Sequence, residues 1–266
     1  MDALFSIDVE PDLHNTSFKG VVKGMPRLAK ILARYNIKAT FFTTCDCIEK
    51  YPAIFKKLIK EGHEIALHGY RHERFDTLSK KEKENRIIKS LACFKKYLNS
   101  KPLGFRAPQH SLDEDTINLL NKSNFKYDAS RTPGNAMLLR HLLKKNNSKK
   151  DILKNFFSCF KPCKISQNML EIPRASFLIS TGGFELKIYP KGYYKLFLPF
   201  YRLLDIPLVF VMHSWDMINI PQSKTSRICS PEKFESKLED YLAYTSKQLK
   251  YKRMVDLYNE KKDKNT

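Results

Sequence analysis

Short apolar runs alternate with longer amphipathic stretches along most of the chain. Ala3–Ile7 is apolar but for Ser6 and reads as a buried strand. Val21, Val22, Met25, Leu28, Leu32 and Tyr35 then recur at helical spacing. Lys38–Thr43, rich in β-branched and aromatic residues, predicts a second strand, Tyr51–Lys60 a helix, and His63–Leu67 a strand after the helix stop at Gly62. Ser79, with Glu82 three residues on, caps a long helix whose apolar face is Ile87, Leu91, Phe94 and Leu98. Strands follow at Leu103–Arg106 and Phe125–Asp128, with a helix over Asp113–Lys122 between them.

The pattern weakens over the basic, Asn-rich stretch 134–166, which reads as an insertion over the core. Leu170–Pro173 and Phe177–Ile179 read as short strands, Lys191–Leu204 as a basic, aromatic-rich helix and Leu208–Met212 as a strongly apolar strand. Pro231–Leu249 is a final amphipathic helix, with a last strand at Arg253–Leu257. Strand–helix alternation implies parallel strands with helices outside. Seven or eight such units close most naturally as a TIM-like barrel, the doubly wound open sheet being the other closure. The expected organisation is one α/β domain over residues 1–258, with the tail 259–266 charged and disordered.

Charge changes this picture little. The 266 residues carry 48 Lys and Arg against 28 Asp and Glu, a net +20. Such an excess raises encounter rates with polyanions or anionic membranes and says nothing about fold. No zinc-finger, RNP or helix-turn-helix signature points to nucleic acid, so none is expected as a partner. Cys45, Cys47, Cys93, Cys159, Cys163 and Cys229 lack zinc-knuckle spacing and read as buried free thiols. The run Leu4–Ile7 is too short for a signal peptide, and Tyr193–Met212 is broken by charges and prolines. The expectation is a cytoplasmic protein, with peripheral contact to an anionic membrane through 191–204 as a further possibility.

The candidate chemistry lies in position. Asp8, His68, Arg106, Asp128 and His213 each stand at or just past the C-terminal end of an expected strand. In a barrel those ends share one rim, where active sites are built. His68-Gly-Tyr-Arg-His72 can bring two imidazoles to one ion. Asp8 and Glu10, two apart on an extended strand, point the same way, so one could bind the ion and the other act as base. Two His and one carboxylate leave a position open for water, as catalytic sites do.

In order and spacing these motifs resemble the polysaccharide deacetylase family (NodB homology, carbohydrate esterase family four). The resemblance runs through Ser6-Ile7-Asp8-Val9-Glu10, His68-Gly-Tyr-Arg-His72, Arg106-Ala107-Pro108, Tyr127-Asp128-Ala129-Ser130 and His213-Ser214-Trp215. It implies an irregular (β/α)7 barrel of the glycoside hydrolase/deacetylase type. It implies a hydrolase that removes an N-acetyl or other N-acyl group from an amino sugar in a polysaccharide, glycan or lipid-linked saccharide. Asp8 would be the base and His213 the acid. Arg106 would pair with Asp8, and Asp128 would stand against His213. Glu10, His68 and His72 would hold a divalent metal, zinc first, with cobalt, nickel or manganese as substitutes. Gln109 N–H would complete an oxyanion hole, and Trp215 would line the acyl pocket. The first motif departs from the usual Asp-Asp pair, with Val9 in the second place, which leaves Glu10 or Asp12 as the carboxylate ligand. A metal-dependent amidase on a small non-sugar amide, and a non-catalytic glycan- or membrane-binding relative, fit the same residues.

Overall fold

The computed structural model describes residues 1–14, 17–135, 149–176, 180–220 and 224–263. Among them run nine strands: β1 (Asp2–Val9), β2 (Thr40–Thr43), β3 (Glu64–Leu67), β4 (Gly104–Phe105), β5 (Tyr127–Asp128), β6 (Cys163–Ser166), β7 (Met169–Glu171), β8 (Leu208–His213) and β9 (Lys250–Lys252). β1–β5, β7 and β8 are parallel in the order β7-β5-β4-β3-β2-β1-β8. β6 adds antiparallel to β7, and β9 pairs with the start of β1. A parallel bridge from Gly182 to Val211 adds to the other edge of β8. The barrel expected from sequence is thus realised as a mixed, curled sheet with helices outside.

Two apolar clusters show how the sheet curls. Leu4, Phe42, Ala66, Tyr127 and Val209 pack together although they come from β1, β2, β3, β5 and β8. Four strands lie between β5 and β8 in the sheet order, so only a curved sheet lets them meet. These side chains fill its inner face. Ala3, Phe5, Ile7 and Val9, of the opposite parity on β1, join the outer cluster with Leu28, Ile31 and Leu32 of the helix Met25–Arg34. Because β1 is buried on both faces, it is apolar almost throughout rather than alternating. Gly104 of β4 faces inward where a Cβ would stand 2.0 Å from the Tyr127 ring, so only glycine fits there.

Local signals agree where side chains fix the backbone. Ser79 accepts from Glu82 N, and the Glu82 carboxylate accepts from Ser79 N, forming the capping box of the helix Lys80–Leu98. Elsewhere the structure departs from the sequence reading. A short helix, Cys45–Lys50, precedes Pro52–Lys60, although its polar Asp46, Glu49 and Lys50 gave no apolar period. The single helix expected over Lys191–Leu204 is broken into the turn Tyr193–Leu196 and the helix Leu198–Leu203, with Pro199 in the first turn of the second piece. Cys159 and Cys163 form a disulfide rather than two free thiols, while Cys45, Cys47, Cys93 and Cys229 are free and buried. The stretch 134–166 contains a helix, Lys149–Phe156, and β6; residues 136–148 and the strand expected at Phe177–Ile179 lie outside the described residues.

The charged tail is also ordered further than expected. Instead of a strand at Arg253–Leu257 and disorder from 259, a helix runs over Met254–Asp263. Met254 and Leu257 are buried in the inner cluster. Met254 N donates to Thr40 Oγ1 and Val255 N to Glu64 Oε2, so the first turn of this helix seals the end of the barrel where β2 and β3 begin. Burial pushes the Glu64 carboxyl up, and Tyr127 Oη, Thr40 Oγ1 and Val255 N oppose that by donating to it. No helix among the described residues is long and apolar enough to cross a membrane.

Candidate active site

Strand parity assembles the site. Leu4 points into the barrel, so Ser6 and Asp8 of the same strand, and Glu10 just past its end, follow in the same direction. The same rule carries Ala66 on to His68, Gly104 on to Arg106, and Val209 and Val211 on to His213. Four separated segments therefore deliver polar side chains to one rim.

Arg106 is buried, and its guanidinium is fully engaged: Nη1 donates to Asp8 Oδ1 at 2.7 Å, Nη2 to Ser6 Oγ at 3.0 Å and Nε to Ala129 O at 3.0 Å. Its Cζ lies over the Phe42 ring, 4.1 Å from the centroid. Burial alone would raise the Asp8 carboxyl, but Arg106, with His68 and His213, overcomes this and holds it well below the usual carboxylate range. Asp8 is thus a fixed, ionised carboxylate with Oδ1 committed to Arg106.

Next to it lies Glu10, 1% exposed. No backbone or hydroxyl group donates to either of its oxygens; they face imidazoles. His68 Nε2 lies 3.4 Å from Oε2, His72 Nε2 is in direct contact with the same oxygen, and His213 Nε2 lies 3.8 Å from Oε1. Burial raises the Glu10 carboxyl, yet His68 and His72 bring it down to about 2. His68 Nδ1 stands 2.8 Å from the carbonyl of Arg106. A carbonyl only accepts, so Nδ1 carries the proton and Nε2 presents its lone pair to the site. The His-x3-His segment is a loop, turned by Gly69 at φ +87. Donor atoms of Glu10, His68 and His72 all lie within 4.8 Å of one another. A buried carboxylate with orphaned oxygens between two imidazoles is the donor set a divalent cation requires, so the residues fit the expected metal.

The remaining walls line an open cleft. His213 stacks on Trp215 with ring centroids 4.4 Å apart and planes 7° from parallel. Its backbone N–H donates to Asp216 Oδ2 at 2.8 Å, and Asp216 is held in turn by Lys187 at 2.8 Å. Gln109 lines the cleft from a left-handed turn, φ 54, directly after Pro108. His110 does so too, its Nδ1 2.8 Å from Ser130 O. Burial first, and Arg106 second, press the His110 imidazole down to about 4.

Two expectations need correction. Asp128 does not stand against His213. It follows inward-facing Tyr127 and so points to the opposite side of β5, where its carboxylate accepts from Ser130 N and Oγ, both at 2.8 Å, beside Glu171. The carboxylates within 4 Å of His213 are Glu10 and Asp216. Asp12 is not a ligand candidate either. Its oxygens are taken by Lys19 N, Gly20 N and Ser17 Oγ, which tie down the loop after β1. His63 accepts from Ala39 N at 3.1 Å and is not in the site.

Three site residues escaped sequence reasoning. Ser6 carried a signal, a lone hydroxyl in an apolar strand two residues before Asp8. Asp216, three residues after His213, carried a weaker one. Arg174 carried none. It lines the cleft from an irregular segment, with Nη2 held by Glu185 at 2.9 Å and by Thr181 O at 3.1 Å, while its Nε is buried without a partner.

Residues 16–127 match the family model described as polysaccharide deacetylase. That match covers less than half of the chain. The family segment contains His68, His72, Arg106 and Gln109, whereas Asp8, Glu10, Asp128, His213 and Trp215 lie outside it. A peptidoglycan deacetylase of Helicobacter pylori is 35% identical over 123 residues, 46% of this chain and 42% of that protein. A peptidoglycan-N-acetylglucosamine deacetylase of Bacillus cereus is 29% identical over 124 residues, 47% of this chain and 42% of that protein. The match thus spans about two-fifths of either relative's length. In fold, a Mycobacterium smegmatis protein named as a polysaccharide deacetylase superposes with TM-score 0.72 at 16% identity, covering 99% of this chain and 91% of the other.

Proposed function

We propose that this chain is a divalent-metal-dependent hydrolase that removes N-acetyl groups from amino sugars of a polysaccharide. One observation carries the reading: the buried Glu10 carboxylate faces His68 and His72 beside the ionised Asp8–Arg106 pair, with His213 across the same cleft. The activities named for the relatives of the family segment agree with it.

Glu10, His68 and His72 would hold the metal, zinc first among cobalt, nickel and manganese. Such an ion supplies a water of lowered pKa and polarises the acyl oxygen. The rest follows from the chain's own groups. With Asp8 Oδ1 bound to Arg106, Oδ2 takes the proton of the attacking water, and Arg106 keeps the carboxylate ionised and aimed. Gln109 N–H, at the turn after Pro108, is assigned to the developing oxyanion. His213, the most exposed of the three imidazoles facing Glu10 at 39%, gives its proton to the departing amine. Trp215, stacked on His213, offers an apolar wall for a small acyl methyl. Asp128 takes no direct part and acts through Ser130, whose Oγ accepts from Ala107 N at 2.8 Å and so positions the segment carrying Arg106.

The test is amine release from N-acetylglucosamine oligomers set against simple acetamides. The expected result is turnover of the oligomers only, abolished by Asp8→Asn and by His213→Ala with the fold retained. Near-parental turnover by either variant would refute the assigned roles.

A further inference from the structure

The segment expected to form one basic helix carries apolar residues on two faces. Inward, Tyr194, Leu198 and Tyr201 are buried, with Tyr201 Oη donating to Ala175 O at 2.8 Å. Outward, Leu196 is 70% exposed, Phe200 56% and Leu203 82%, with Leu204 beside them. Positions 196, 200, 203 and 204 are spaced i, i+4, i+7 and i+8, so on a largely helical backbone they form one stripe. Their number is the informative point. Single exposed leucines are ordinary, whereas a contiguous apolar strip rimmed by charge marks a contact surface.

The rim is cationic. Lys191, Lys195 and Arg202 are exposed on the same segment, and exposed Lys247 and Lys250 lie near the Gln248 carbonyl that Arg202 holds. The acidic neighbours are Asp205 and Asp240; the latter is already paired with Lys191 at 3.3 Å. Apolar side chains flanked by lysine and arginine match an anionic bilayer, where leucine and phenylalanine enter the acyl boundary and cations meet headgroups. Leu204 stands next to the turn that enters β8 at Leu208, while His213 closes that strand at its far end. Docking through the stripe therefore leaves the cleft open.

We infer that Leu196, Phe200, Leu203 and Leu204, with their flanking cations, form a docking face for an anionic membrane surface. The inference is independent of the hydrolase reading, since no residue of the stripe touches the cleft. It is tested by co-sedimentation of the full chain with phosphatidylcholine vesicles, with and without phosphatidylglycerol. The parent should bind the phosphatidylglycerol vesicles alone, more weakly as salt rises. Phe200→Ser with Leu203→Ser should lose roughly tenfold or more in partitioning, with an unchanged circular dichroism spectrum. Equal binding by the double variant would overturn the inference, as would no binding by the parent at low salt. Sedimentation velocity gives a further discriminating outcome: a dimer dissolved by the same pair of substitutions would assign the stripe to a second copy of the chain and overturn the membrane reading.

Discussion

Replacing Arg106 by lysine should cost this protein a large part of its stability although the charge is kept. The guanidinium serves three acceptors in three directions, Asp8 Oδ1, Ser6 Oγ and Ala129 O, and its Cζ lies over Phe42. An ammonium is a point donor on a shorter reach and can keep the Asp8 contact only by giving up the other two. Hydrogen bonds from a charged group contribute about 1.5–3 kcal/mol each, and the Ala129 carbonyl is left buried and unmet. The expected loss is therefore about 3–5 kcal/mol, within the range for breaking a buried ion pair. Against a total of about 5–15 kcal/mol that is roughly a fifth or more of the fold's margin. A domain of this size, which shifts by about 2 °C per kcal/mol, should melt about 6–10 °C lower. Urea unfolding at pH 7 with an unchanged slope is the assay. A loss below about 1 kcal/mol would refute the claim that Ser6 and Ala129 depend on the guanidinium.

Two further outcomes follow from the same geometry. His72→Ala removes one donor of the Glu10, His68, His72 set from a partly exposed loop, so zinc or cobalt affinity should fall by at least about 100-fold with little change in melting temperature; unchanged affinity in a chelator competition would remove His72 from the ligand set. Glu171 is pushed well above the usual carboxylate range, by burial first and by Asp128 second. The folded chain then holds a proton that the unfolded chain releases above about pH 4.3, and stability falls as pH rises beyond that value. Glu171→Gln keeps the shape and the acceptor for Arg131 N, so its stability relative to the parent should grow from pH 5 to pH 8. A pH-independent difference would show that Glu171 is ionised in the fold.

The strand ends were legible because burial on both faces leaves a strand apolar until the residue where it reaches the rim. That is why Asp8, His68 and His213 stood out: each is the first charged or imidazole group after an apolar run. Their direction was legible wherever a strand was long enough to show parity. β1 gives eight residues from which to count, and Leu4, Ser6 and Asp8 fall into line. β5 gives two, and nothing in Tyr127-Asp128 states which side chain faces the barrel. The choice is made at a distance, by Glu64 accepting from Tyr127 Oη and by the space above Gly104. Asp128 was misplaced for that reason. Asp12 and Glu10 were equivalent as sequence, and only the loop hydrogen bonds to Asp12 separate them. Arg174 and the Cys159–Cys163 disulfide depend on chain paths that no local period encodes.

The central claim is that Glu10, His68 and His72 hold a metal ion that the Asp8–Arg106 pair and His213 put to use. Its most direct measurement is acetate release from an N-acetylglucosamine oligomer by the purified chain, first stripped with a chelator and then given back zinc or cobalt. The account predicts negligible release from the stripped protein, recovery at one equivalent of metal, and no recovery for Glu10→Ala under the same titration. Undiminished release after stripping, with no metal bound, would contradict it.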